Sequence, residues 1–161
     1  MCIVSKFVFR PVILGPVHRW KATIFELKFD AKWTNQPGSI VNMTSDETIT
    51  VKVVDRPNPM SGMRFSTGSE WVAVASGQNF RISLTTKSHG KPCAYRTAYI
   101  PQDVPHSGFY FAHANAKPST FSFDFALSEG SKSKTHFIVV EPQLDNVMIE
   151  IIDAKIEVIC S

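Results

Sequence analysis

The chain has 161 residues, of which 43% are hydrophobic and 19% charged, and its formal net charge is +3. A chain of this length buries a core without metals or disulfides, and we expect one domain over residues 1–161, with the three scattered cysteines as free thiols. Its Lys and Arg residues are spread thinly, so strong direct nucleic-acid binding is not expected. No uninterrupted apolar stretch fits a signal peptide or a membrane span, which predicts a soluble protein, intracellular rather than secreted.

The first clear element is a strand from Thr23 to Trp33. Apolar residues occupy every second position of this segment, and the positions between them carry Glu26, Lys28, Asp30 and Lys32. Because successive side chains of a strand point to opposite faces, this alternation predicts a long strand with one buried and one solvated face.

The same alternation recurs along the chain, at residues 48–53, 80–85 and 121–127, with shorter apolar runs at 3–9, 71–75, 94–100 and 136–140. Clusters of Pro, Gly, Asn and Ser separate these segments, and residues 101–118 predict an external loop that contains a short strand. No segment has a helical stripe. The pattern predicts an all-β fold: an antiparallel β-sandwich, as a single eight-stranded jelly roll with long end loops.

The last strand changes phase. Val147, Ile149 and Ile151 share one face, whereas the apolar residues from Ala154 onwards share the other, which predicts a β-bulge near Ile152 to Ala154. Acidic residues concentrate in this region, and we expect them on a solvated strand face rather than as a catalytic pair: Glu141, Asp145, Glu150, Asp153 and Glu157.

Residues able to carry chemistry are few. Asp103, His106 and His113 share one predicted loop, but the His-x6-His spacing is not a recognised ligand pattern. Neither Ser61-Gly62 nor Ser107-Gly108 lies in a strand-to-helix elbow that would expose a nucleophile. We therefore expect no enzyme activity, no catalytic residue, no cofactor and no metal site.

Aromatic residues and long loops are the candidates for binding. Trp33 and Trp71 continue apolar runs and are expected in the core, whereas Trp20 stands at a strand entrance and is expected to be exposable. The loops at 57–68 and 101–118 would lie on a rigid sandwich, a common position for binding sites. The candidate binding residues are Trp20, Asn58, Met60, Arg64, His106, Tyr110 and His113.

Two segments resemble a known family. Residues 20–29, Trp-Lys-Ala-Thr-Ile-Phe-Glu-Leu-Lys-Phe, and residues 120–125, Thr-Phe-Ser-Phe-Asp-Phe, resemble strands in the jelly-roll coat proteins of comovirus-like, picorna-like plant viruses. The resemblance implies a capsid subunit, located in the virion, that packs against itself or companion coat subunits through its β-sandwich surfaces. The alternative hypothesis is a non-enzymatic binding module of the same fold that recognises a carbohydrate or a host protein through its loops.

Overall fold

The structure is a computed structural model that describes residues 9–14, 18–26, 33–56, 61–66, 79–101, 108–126 and 136–160. These residues form twelve strands: Phe9–Leu14 (β1), His18–Glu26 (β2), Trp33–Asn35 (β3), Ser39–Met43 (β4), Ile49–Val53 (β5), Met63–Ser66 (β6), Asn79–His89 (β7), Cys93–Pro101 (β8), Tyr110–Ala114 (β9), Ser119–Ala126 (β10), His136–Pro142 (β11) and Met148–Cys160 (β12). Within the described ranges, no helix has the length and apolar character needed to cross a bilayer.

The strands form two antiparallel sheets. In the seven-stranded sheet the order is β1-β2-β12-β5-β4, with β7 on the other side of β12 and β10 next to β7; in the five-stranded sheet it is β3-β6-β11-β8-β9. The long strand β12 organises the first sheet, since it pairs with β5 near its start, with β2 near its end and with β7 along its length. The predicted antiparallel β-sandwich of jelly-roll type is confirmed, although the described residues form more than the eight strands expected.

The core lies between the two sheets. Ile82 and Leu84 of β7 and Ile149 of β12 face inward from the seven-stranded sheet, and Ile138 and Val140 of β11 face them from the other; all five are fully buried. These residues obey the two-residue period of the sequence, so their burial follows from the pleat of the strands.

The predicted bulge is present in β12. The register of β12 with β7 shifts between Ile151 and Asp153. Ile149 and Ile151 before the shift, and Ala154 and Ile156 after it, are all buried in the core. The extra residue therefore keeps both apolar phases of the sequence on the same face of the sheet.

The prediction of one strand from Thr23 to Trp33 was wrong. Strand β2 ends at Glu26 in the seven-stranded sheet, and β3 begins at Trp33 in the five-stranded sheet. An alternating pattern indicates that one face of a strand is buried. Because each sheet of a sandwich buries one of its faces, strands of both sheets show the same alternation. The pattern therefore does not indicate which of the two sheets a strand belongs to. Residues 27–32, like the predicted strand at 71–75, lie outside the described residues.

A candidate binding face on the five-stranded sheet

The outer face of the five-stranded sheet carries an exposed aromatic side chain. In β9, Tyr110 and Ala112 pack towards the core, so Phe111 between them points away from it and is 65% exposed. Burying an aromatic ring gives one of the largest gains in apolar contact of any side chain. An exposed phenylalanine on a β-strand is therefore a surface on which a flat apolar partner can stack.

An ion pair lies beside Phe111 on the same face. Arg96 of β8 is paired in register with Phe111 on one side and with Glu141 of β11 on the other. Its Nε donates to Oε2 of Glu141 at 2.5 Å, and its guanidinium carbon lies 4.0 Å from the centroid of the Phe109 ring. Glu141 is only 2% exposed, and Arg96 is its charged partner.

The middle of the face is apolar and covered. Arg64 of β6 lies across from Val139 of β11, which in turn lies across from Ala98 of β8. Val139 and Ala98 are buried although they point away from the core cluster. We call the six outward residues Arg64, Arg96, Ala98, Phe111, Val139 and Glu141 the aromatic face.

The aromatic face is elongated. The distance across the sheet from β6 to β9 is three strand spacings, or about 14 Å. Polar and charged groups lie along this length together with one exposed ring. Ala98, Val139 and Glu141 are buried, so the part of this face that a ligand can reach is at Phe111, on the edge strand β9.

A glycine allows the strands to approach at one corner of this face. A Cβ atom on Gly62, just before β6, would lie 2.3 Å from the carbonyl oxygen of Val140 and 2.8 Å from the Cα atom of Glu141. The φ angle of Gly62 is +152°, a value that L side chains rarely adopt. Only glycine fits this position without moving the strand that holds Glu141.

A second polar cluster occupies the outer face of the seven-stranded sheet. Glu150 of β12 accepts hydrogen bonds from the Thr48 hydroxyl at 2.7 Å and pairs with Lys87 at 3.1 Å and with His89 Nε2 at 2.7 Å. Burial would raise the pKa of Glu150, but the hydrogen bonds from Thr48, His89 and Lys87 and the charge of Lys87 outweigh it and lower this pKa to about 2. The carboxylate is therefore already satisfied by protein groups.

The expectation that these acidic residues lie on a solvated face was wrong for two of them. Glu150 is 8% exposed and Glu141 is 2% exposed. Both do lie on outward positions of their strands, and basic side chains pair with them, Lys87 with Glu150 and Arg96 with Glu141. Asp145 is exposed, as expected, and pairs with Arg56 at 2.7 Å.

The candidate binding residues divide into four groups. Arg64 and His113 lie on β6 and β9, so they belong to strands of the five-stranded sheet rather than to loops, and His113 is exposed. Tyr110 is turned inward and stacks on Phe123 with ring centroids 4.7 Å apart. Trp20 lies in β2, on the other sheet. Asn58, Met60 and His106 lie outside the described residues.

Metal and thiol chemistry find no support in the part of the chain that the structure describes. There, no group of three or more His, Cys, Asp or Glu side chains is placed to hold a metal ion. Asp103 and His106, the sequence candidates, fall outside that part. Cys93 is a free, buried thiol, as the sequence predicts.

No protein-family model matches the sequence, and no curated protein sequence is significantly similar to it. Solved structures do resemble it in fold. The CBM22-1 xylan-binding domain of Paenibacillus barcinonensis Xyn10C is 12% identical, with a TM-score of 0.60 over 87% of this chain and 94% of that one. The C-terminal family 22 carbohydrate-binding module of Clostridium thermocellum Xyn10B is 10% identical, with a TM-score of 0.56 over 83% and 92%. A family 4 carbohydrate-binding module is 15% identical, with a TM-score of 0.55 over 86% of each chain.

These similarities correct the predicted resemblance to viral coat proteins. The fold matches that of carbohydrate-binding modules, not that of the coat proteins, and nothing supports a capsid subunit. The strings at 20–29 and 120–125 were misleading because alternating aromatic and polar residues arise in any half-buried strand. The fold class was correct, and the assembly function inferred from it was wrong.

Proposed function

We propose that this chain is a non-catalytic carbohydrate-binding domain that holds a xylan-type polysaccharide along the aromatic face. Two kinds of observation support the proposal. The fold is similar to those of modules described as xylan-binding, over most of both chains. The aromatic face adds a surface whose chemistry suits a sugar polymer.

The exposed ring of Phe111 is the observation that carries the proposal. A pyranose ring has an apolar face, and stacking that face on an aromatic ring buries apolar area on both partners. The sugar hydroxyls need hydrogen-bonding groups at the edges of the ring. Arg96 supplies hydrogen-bond donors on β8, the strand next to Phe111.

The ion pair also prepares the site for binding. Because Arg96 is held by Glu141 and by the Phe109 ring, its guanidinium loses little freedom when a ligand binds. A rigid polar group next to an exposed ring is typical of sites that fix the orientation of a ligand.

The test is the affinity for xylan of wild type and of the Phe111→Ala variant, measured by affinity electrophoresis and by calorimetry with xylohexaose. We expect wild type to bind and Phe111→Ala to bind about tenfold more weakly or not at all, because stacking of one ring is worth on the order of 1 kcal/mol or more. The matched control is Ile40→Ala, which removes a 45% exposed apolar side chain from the other sheet and should not change binding. Absence of binding by wild type, or equal loss in both variants, would refute the proposal.

A further inference from the structure

A row of aromatic side chains follows the outer side of β9. Phe111 and His113 alternate with two alanines that are buried in the core, Ala112 and Ala114, so both aromatic residues project to the outer face. Both are exposed there. Phe109 directly precedes the strand in the same phase and is half-buried. We call Phe109, Phe111 and His113 the β9 row.

The imidazole of His113 is exposed because its neighbour on β8 is small. In the antiparallel register of the two strands, His113 lies opposite Ala94, whereas Phe111 lies opposite Arg96. Among the strands that the structure describes, β8 is the one that pairs with β9, so β9 is an edge of the sheet. A ligand that lies over Phe111 therefore meets the ring of His113 if it continues along the strand.

The guanidinium group of Arg96 lies at the other end of the row. Its carbon atom is 4.0 Å from the centroid of the Phe109 ring, and the ion pair with Glu141 holds it there. A guanidinium group is planar and carries several N–H donors. The two ends of the β9 row therefore differ, with charged hydrogen-bond donors at Phe109 and an imidazole ring at His113.

Exposed contacts continue along β9 but not across the sheet. Successive outward residues of a strand are about 7 Å apart, so Phe111 and His113 can contact neighbouring parts of one ligand. Across the sheet, the outward residues of β11 are covered, since Glu141 is 2% exposed and Val139 is 1% exposed. A ligand placed over Phe111 thus gains more contact by extending along β9 than by turning towards β11.

We propose that the glycan lies lengthwise along β9, with one sugar ring stacked on Phe111 and a neighbouring part of the same chain stacked on His113. This inference rests on the proposed function, because it assigns the direction of the ligand and a second contact residue to the same site. An imidazole ring is flat, so it can bury apolar area against the apolar face of a sugar as the phenyl ring does.

The experiment measures the affinity of wild type and His113→Ala for xylohexaose by calorimetry. We expect His113→Ala to bind about three- to tenfold more weakly, the loss expected for one aromatic contact. The matched control is His89→Ala, which removes an imidazole that is 47% exposed on the other sheet. This variant should bind xylohexaose as tightly as wild type.

Two further variants test whether the contact of His113 is a stacking contact. His113→Phe keeps a flat ring but loses both ring nitrogens, and it should bind xylohexaose at least as tightly as wild type. His113→Leu keeps an apolar side chain without a flat ring, and its affinity should be close to that of His113→Ala. In wild type, NMR should also show intermolecular NOEs from xylohexaose to the ring protons of both Phe111 and His113.

The outcomes separate the two proposals. If wild type binds xylohexaose but His113→Ala and His89→Ala have equal affinities, the lengthwise arrangement is refuted and glycan binding stands. The stacking role of His113 is also refuted if His113→Phe binds as weakly as His113→Ala, or if His113→Leu binds as tightly as wild type. If wild type does not bind xylohexaose, the proposed function fails and this inference fails with it.

Discussion

Glu150 shows how a single outward residue can stabilise the sandwich. Its carboxylate is held by the ammonium of Lys87 and the imidazole of His89 from β7, and by the hydroxyl of Thr48, which directly precedes β5. The depressed pKa of about 2, against an ordinary value of 4.5, means that the folded state prefers the ionised form. Its contribution to stability is therefore present above pH 4.5 and is lost as the pH falls towards 2.

We predict that Glu150→Gln lowers the free energy of unfolding at neutral pH by on the order of 2 kcal/mol and brings it close to that of wild type near pH 2. Urea denaturation between pH 2 and pH 7 measures this. The control is Asp153→Asn, which alters an exposed carboxylate of the same strand and should stay within about 0.5 kcal/mol of wild type at neutral pH. If wild type and Glu150→Gln lose stability in parallel as the pH falls, Glu150 does not have this role.

Residue-level features of the site were the hardest to predict. Phe111 lies between Tyr110 and Ala112, and both phases of this segment are aromatic, so alternation alone does not show which ring faces outward. The hydrogen bond between Arg96 and Glu141 joins residues that are 45 positions apart, so it cannot be predicted from the local sequence. Arg64 was found as a candidate, although on a strand rather than in the expected loop.

At the scale of single elements, β12 decides how the seven-stranded sheet is built. Its bulge follows from a phase change that is visible in the sequence, because a two-residue period allows only one way to keep both apolar sets buried. The same alternation predicted β10, whereas β8 and β11 were predicted from short apolar runs. The assignment of β2 and β3 to different sheets was not predicted, because the sequence pattern does not indicate which sheet a strand joins.

We predict that the phase after the bulge controls stability. Ile156→Ala should destabilise the protein by about 2–5 kcal/mol, since it opens a cavity at a fully buried position of β12. Lys155→Ala, one residue earlier and on the outward phase, should change the free energy of unfolding by less than about 0.5 kcal/mol. Thermal and urea unfolding of both variants measure the difference, and equal effects would contradict the register described for this strand.

For the whole molecule, the two outer faces of the sandwich differ in chemistry. The seven-stranded sheet presents side chains that satisfy one another, as in the pairs Arg81 with Asp124 and Ser83 with Ser122. The five-stranded sheet presents the exposed ring of Phe111 beside the ion pair of Arg96 with Glu141. A stacking ligand gains more from the second face, because the exposed ring of Phe111 would be buried on binding. That one domain covers residues 1–161 stays a prediction.

The most direct test of this account is a titration of the ¹⁵N-labelled protein with xylohexaose, followed by NMR. We expect chemical-shift changes to concentrate on the aromatic face, at Phe111, Arg96 and Glu141, with the neighbouring amides of β8, β9 and β11. The residues around Glu150 on the opposite sheet should not shift. Absence of any saturable change, or changes centred on β7 and β12, would contradict the account.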